Sequence, residues 1–391
     1  MSEHPQGSVV AGEPGPRNGL VDVTGIRVGH HTAVGDGFLT GTTVILAPPG
    51  GMVAGVDVRG GGPATHETDL LHPTASVERI HALVLTGGSA YGLAACTGVM
   101  EALADRGIGL PVGSGVGEIV PLVPGAALFD LGRGGDFRAR PTAEFGALAL
   151  AAALDSDAGI DPSASGDRGT SGGAAGSVGA GTGAVASGLK GGLGGASMVL
   201  PGGVTVAALA VVNAAGSPID PRTGELWGAR HLHPQDGPLP PVPSSQARQG
   251  LLDATAPRAP GVSFGSAAPS ADSPVDSPVG AAADRAETIT NTTLVVVATD
   301  ATLTKAQCCK MAAVAQNGMA RALNPVHTMF DGDIVFGVST ATAGIPDAVG
   351  IHAITAAAAD VVTRAIVRGL LAVTTTITPA GRWPSWSDLA G

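Results

Sequence analysis

The sequence predicts one mixed α/β domain, and three observations carry that prediction. Short β-branched runs alternate with helical patterns from Val21 to near the C-terminus. A stretch unable to bury much surface, residues 234–287, interrupts this alternation without ending it. The segment beyond that stretch holds too few strands to make a sheet covered on both faces by itself. The 391 residues could hold one large domain or two or three ordinary ones, and 44% apolar residues can fill a sizeable core. With 61 glycines and only 3% aromatics, the layers are expected to pack closely, backbone near backbone.

Residues 1–18 carry no periodic pattern and read as a disordered tail. The stretches "VDVTGIRVGHHT", "TTVILAPP" and "MVAGVDVRGGG" read as strands punctuated by glycine turns. In "HALVLTGGSAYGLAACTGVMEALADRG" a buried strand over 82–85 turns through Gly87-Gly88 into a helix ending near Gly107. "GAALFDLGRGGD" reads as another buried strand, and "TAEFGALALAAALDSD" as a second helix. The glycine-dense belt over 169–217 would suit a linker by composition. Its core, "VTVAALAVVNA", is too β-branched and apolar to stay in water, so several strands with a hairpin at Pro201-Gly202-Gly203 are expected. The proline-, serine- and alanine-rich residues 234–287 cannot offset their ordering entropy. Order resumes with a strand over 292–299, the helix "LTKAQCCKMAAVAQNGMARAL", the loop "NPVHTMFDGD", the strand "IVFGVST", and a long alanine-rich helix over 346–373.

A net charge of −11 and the scarcity of aromatics argue against a nucleic-acid partner. No apolar run reaches membrane-spanning length, and the N-terminal residues lack the pattern of a secretory signal, which makes the cytoplasm the expected location. Cys96, Cys308 and Cys309 form neither a disulfide nor a zinc framework, and the adjacent pair reads as buried packing. His30-His31 and His231/His233 lack partners at ligand spacing, so no metal site is expected.

The chemistry concentrates near Asn291-Thr292-Thr293. These residues admit three readings: a glycosylation sequon, a turn entering a strand, or a bond that the protein cuts before Thr292. In the third, Thr292 gains an α-amine on the residue that bears its hydroxyl. Such an amine, with a pKa of about 7.7–8, can take the hydroxyl proton near neutrality. In "FDGDIVF", Asp331 and Asp333 fall two apart at a strand entrance, on one face; they suit holding an amine or a proton donor, or form a solvated turn. "GGSAYG" places Ser89 between strand and helix like a nucleophile elbow, but Tyr91 stands where the last glycine belongs. Gly181-Thr182-Gly183 is a weak match to a dinucleotide loop, and no P-loop occurs.

Together "DVRGGGPATHETDLL", "VLTGGSAYGL", "FDLGRGGDF", "LKGGLGGAS", "VVNAAG", "NTTLVVVATDATLTKAQ" and "PVHTMFDGD" resemble the DmpA family over nearly the whole chain. That family holds L-aminopeptidase/D-esterases, β-peptidyl aminopeptidases, nylon-oligomer hydrolases and a pantetheine hydrolase. The resemblance implies a four-layer αββα sandwich. It also implies self-cleavage between Asn291 and Thr292, giving an α chain (19–291, with 234–290 a flexible segment) and a β chain (292–391). Thr292 would be the nucleophile and Asn213 the oxyanion donor, with Asp331 and Asp333 flanking the nucleophile and Lys190 near the pocket. Two aspartates resemble the nylon-hydrolase branch, whereas the aminopeptidase branch tends to carry Ser and Glu. The implied substrate is a small peptide-like or pantetheine-like amide, with no cofactor, in a symmetric homo-oligomer such as a tetramer. Two rivals remain: a serine hydrolase using Ser89, and a non-catalytic small-molecule binder of the same fold.

Overall fold

The structure, a computed structural model, describes residues 12–156, 175–256 and 291–391. Two sheets face each other. One has six strands in the order Leu193–Val199, Thr205–Val211, Leu294–Thr299, Ile334–Ser339, Met52–Val58 and Arg79–Ile80. The other has five, in the order Arg27–Gly35, Phe38–Leu46, Ala82–Thr86, Gly125–Ala127 and Ala64–His66. Each sheet is antiparallel except at one junction: Leu294–Thr299 with Ile334–Ser339 in the first, Ala82–Thr86 with Gly125–Ala127 in the second.

Alternation along the strands assigns the layers. In the Leu294–Thr299 strand, Leu294, Val296 and Ala298 join the core between the sheets, while Val295 and Val297 join the core under the helices. Because both faces are covered, this strand reads as a continuous apolar run rather than an alternating one. Helices Lys305–Ala322 and Ala348–Leu371 cover the six-stranded sheet; Ala94–Ala104 and Ala143–Asp155 cover the five-stranded one. The architecture is therefore the expected αββα sandwich, with three apolar cores between four layers. Glycine sets the spacing of these layers. A Cβ on Gly194 would lie 2.2 Å from the Ala365 carbonyl, and one on Gly29 would lie 2.3 Å from that of Ala149. The Ala348–Leu371 helix is long and apolar enough to cross a membrane, yet most of it is buried as the core helix here.

Three expectations need correction. Residues 12–18 are anchored rather than loose: Glu13 and Val199 exchange backbone hydrogen bonds, and the Asn18 side-chain oxygen accepts from Arg364 and Ser197. The first eleven residues lie outside the described ones. Within 234–287, a helix forms at Ser245–Thr255, capped by the Ser244 hydroxyl, with Leu251 buried against the Trp386–Ala390 helix. Asp236 makes buried ion pairs with Arg364 at 2.7 and 2.8 Å. One apolar anchor and one buried charge pair hold this part, and averaged composition conceals both. Residues 257–290 fall outside the description. Finally, "GAALFDLGRGGD" is a strand only over Gly125–Ala127; its remainder leaves the sheet and carries Asp130 and Arg133 toward Asn213.

Candidate active site

Thr292 lies just before the Leu294–Thr299 strand, where the order of the sheet brings three chain segments side by side. On one side, Asn291 N donates to Phe330 O at 3.1 Å, Gly332 N to Asn291 O at 2.8 Å, and Ile334 N to Thr293 O at 3.1 Å. On the other side, Thr292 N donates to Asn213 O at 2.6 Å. Thr292 is 4% exposed and Asn213 is fully buried. The neighbouring strands thus grip the Asn291–Thr292 peptide through its own carbonyl and amide.

Both carboxylates work on the flanks of this peptide. Asp331 Oδ1 accepts from Ala215 N at 3.0 Å, and its Oδ2 accepts from Thr328 N (3.0 Å) and Oγ1 (2.7 Å). Asp333 Oδ1 accepts from Thr293 N at 2.8 Å; its Oδ2 accepts from His327 N at 3.1 Å and lies 2.9 Å from His327 Nδ1. These are charge-assisted bonds in a buried setting, roughly twice as strong as neutral ones. The pair therefore braces residues 215 and 293, the neighbours of the gripped peptide. The intervening Gly332 has no room for a side chain: a Cβ there would lie 2.5 Å from Thr292 Oγ1. The run Arg59-Gly60-Gly61-Gly62, which follows the Met52–Val58 strand, packs against this loop, with Gly60 N donating to Asp333 O and Gly62 N to Asp331 O. A Cβ on Gly60 would meet Asp333 N at 2.2 Å, so this glycine is required by close backbone approach.

Buried charge organises the Asn213 side. Asn213 Oδ1 accepts from Arg133 Nη1 at 2.6 Å and from Val185 N at 3.0 Å. Both partners can only donate, which fixes the amide so that Nδ2 is the donor edge, with Phe129 O 3.3 Å from it. Lys190 is fully buried, its Nζ donating to Gly181 O, Ala184 O and Gly191 O at 3.3, 3.2 and 2.5 Å. Burial pulls the ammonium down to about 7, helped by Arg133 and opposed by Asp130. Three carbonyls matched to three N–H bonds favour the charged form and work against that pull. Burial likewise lowers Arg133 to about 10, against the opposing charge of Asp130, while it raises the Asp130 carboxyl. Thr40, Gly88 N, Arg133 and Lys190 hold Asp130 back, in that order.

The structure thus brings Thr292, Asn213, Asp331 and Asp333 together and places Lys190 one layer behind. Lys190 grips the 181–191 turn that presents Val185 N to Asn213. Gly181 and Gly183, which resembled a dinucleotide loop, are small because Leu193 N and Leu39 O approach within 2.4 and 2.2 Å of where a Cβ would be. Arg133, Gly332 and His327 were not singled out from sequence, although each stands inside a quoted block. An arginine flanked by glycines, in a chain where charge is scarce, was the available signal for Arg133. Ser89 does adopt a left-handed φ of 52°, as an elbow would, but among the described residues no histidine hydrogen-bonds its hydroxyl.

The sequence model of peptidase family S58 matches residues 18–383. An uncharacterized aminopeptidase of Mycobacterium tuberculosis is 41% identical over 389 residues, covering 95% of this chain and 98% of that relative. One from Mycobacterium leprae is 42% identical over 374 residues, covering 91% of each. Among solved structures, a Burkholderia sp. beta-aminopeptidase superposes with a TM-score of 0.63 at 23% identity, covering 100% of this chain and 97% of that one. The L-aminopeptidase D-Ala-esterase/amidase of Ochrobactrum anthropi, a variant of the Ntn hydrolase fold, gives 0.64 at 19%, covering 97% and 94%. The chain belongs to peptidase family S58 and has the DmpA-type Ntn hydrolase fold.

Proposed function

We propose that the protein is a self-processing aminopeptidase or amidase that cuts its own Asn291–Thr292 bond and then uses Thr292 as nucleophile. The grip on that one peptide carries the reading. Gly332 N donates to the Asn291 carbonyl oxygen at 2.8 Å, where negative charge develops when the carbonyl is attacked. Thr292 Oγ1 lies over Gly332, the residue whose N–H holds that carbonyl. Attack by Oγ1 on the Asn291 carbonyl carbon forms a C–O bond. Collapse breaks the C–N bond, and the proton passes from the hydroxyl to the departing nitrogen. Water then opens the ester, leaving a carboxylate on Asn291 and a free amine on Thr292.

That amine keeps the place of the former amide beside Asn213 O, so it is held next to its own hydroxyl. It takes the Oγ1 proton as the hydroxyl attacks a substrate amide. Asn213 Nδ2 supports the oxyanion, and the protonated amine supplies a proton to the leaving nitrogen. Water returns the acyl-threonine to the starting state. Asp331 and Asp333 act as positioning residues through Ala215, Thr328, His327 and Thr293. Family membership and the names of the relatives support a small peptide-like amide as substrate, with a pantetheine-like amide within the same chemical class. The same resemblance supports a homo-oligomer such as a tetramer.

N-terminal sequencing and intact mass of freshly purified protein test this directly. A second chain beginning at Thr292 is expected, and Thr292→Ala should yield one uncut, inactive chain. An active wild type with only its original N-terminus would overturn the reading.

A further inference from the structure

A carboxamide can serve as an oxyanion donor only if its NH₂ group, and not its oxygen, faces the reacting atom. Rotation of the Asn213 amide by half a turn would exchange the two at almost no steric cost. What prevents this is the pair of donors on Oδ1. Val185 N–H contributes a neutral bond at 3.0 Å, and Arg133 Nη1 a charged one at 2.6 Å. In the flipped state the amide hydrogens would face a guanidinium and a backbone N–H, losing both bonds. The same Nη1 also donates to Gly183 O at 2.6 Å, and Thr378 Oγ1 donates to Arg133 O at 2.6 Å, so the arginine is itself held at both ends. A cation on Oδ1 further draws electron density from Nδ2, which makes its N–H bonds stronger donors.

We propose that Arg133 is a positioning residue for amide hydrolysis, fixing and polarising the Asn213 side chain as the oxyanion donor. This rests on the reading above that Asn213 faces the oxyanion. Arg133 touches no reacting atom in this scheme and acts wholly through Asn213. Its effect therefore vanishes once Asn213 is removed.

The test is a double-mutant cycle on processed enzyme, with aminoacyl p-nitroanilides as substrates. Asn213→Ala should lower kcat by roughly 10²–10³-fold, the usual loss for one such donor. Arg133→Met should lower kcat by roughly 10–100-fold with KM nearly unchanged, since the loss falls on the transition state. Arg133→Lys should recover part of it, by keeping charge without the fork. In the Asn213→Ala background, Arg133→Met should cost little more. Equal losses in both backgrounds, or wild-type kcat in Arg133→Met, would overturn the proposal while leaving the Asn213 reading intact. An unaffected kcat in Asn213→Ala would overturn both. Should the methionine variant fail to fold or process, the lysine variant in the same cycle decides the matter: a loss in kcat present only with Asn213 supports the proposal, and none opposes it.

Discussion

The two halves of the site are held in place by different forces. Around Thr292, position comes from backbone contact: strand ends lie side by side, two carboxylates accept backbone N–H groups, and glycines let the chains meet. Around Asn213, position comes from charged side chains, with Lys190 and Asp130 buried and the half-buried Arg133 reaching in beside them. The first arrangement rests mainly on backbone groups, and its two short carboxylates are each tied by three hydrogen-bond contacts. The second is tunable, because charge strength and reach can change without moving the backbone. The nucleophile proposed at Thr292, which must meet one peptide bond in register, suits the first; the donor proposed at Asn213, whose strength matters, suits the second.

The sharpest way to break this contrast is to add one carbon to the backbone side. Gly332→Ala places a methyl 2.5 Å from Thr292 Oγ1 and 2.8 Å from Gly62 O. Displacement on the order of 1 Å at a reacting atom costs about 10²-fold. The proposed self-cleavage, followed by gel analysis over time, should slow by at least that factor while the far-ultraviolet circular dichroism stays native. Processing at the wild-type rate would show that backbone proximity is not what aligns Thr292.

Lys190 and Lys305 offer a smaller and more selective comparison. Each buries its ammonium on three carbonyls; those of Lys305 belong to Leu70, Ala75 and Val77. Replacement of either by Met removes a charged donor from its carbonyls, at about 1–3 kcal/mol for each one left without a partner; at Lys190, Gly181 O and Ala184 O keep backbone donors in Ala184 N and Gly191 N. Both should melt earlier, but only Lys190→Met should lower kcat, by about tenfold, because only its turn holds Asn213. Equal activity in the two variants would separate Lys190 from the site.

The last effect concerns acid and falls on stability, leaving the site's chemistry untouched. His30 is buried and its pKa is lowered to about 4 from 6.5 by desolvation. Its ring bonds Thr43 at 2.9 Å, and Thr43 accepts from Ala180 N, next to the 181–191 turn. Since the unfolded chain takes up this proton first, stability is complete above pH 6.5 and falls as pH drops toward 4. The loss reaches about 3 kcal/mol. Urea unfolding across that range should show the slope in wild type and a shallower one in His30→Gln, the remainder coming from His31, His81 and His231, which burial also lowers. An unchanged slope would place the acid sensitivity elsewhere.

Much of the frame was legible in the chain itself. The strand after Thr292, the hairpin at Pro201-Gly202-Gly203 and the two helices "TAEFGALALAAALDSD" and "LTKAQCCKMAAVAQNGMARAL" all formed where periodicity and turn chemistry placed them. The Ser245–Thr255 helix escaped notice because a single buried leucine anchors it, and one residue makes no period. The partner of Arg133 and the Ala215 partner of Asp331 were hidden for another reason. Arg133 meets Asn213 across 80 positions, and Asp331 meets Ala215 across 116.

Local sequence thus determined the strands, the helices and the threonine at the head of a buried strand, since φ/ψ preference and apolar alternation act over a few residues. The distant donor on each carboxylate, Ala215 on Asp331 and Thr293 on Asp333, and the way the Asn213 amide faces were decided only when sheet order brought distant strand ends together. A hydrogen bond has no meaning along the chain until both of its atoms share a place in space.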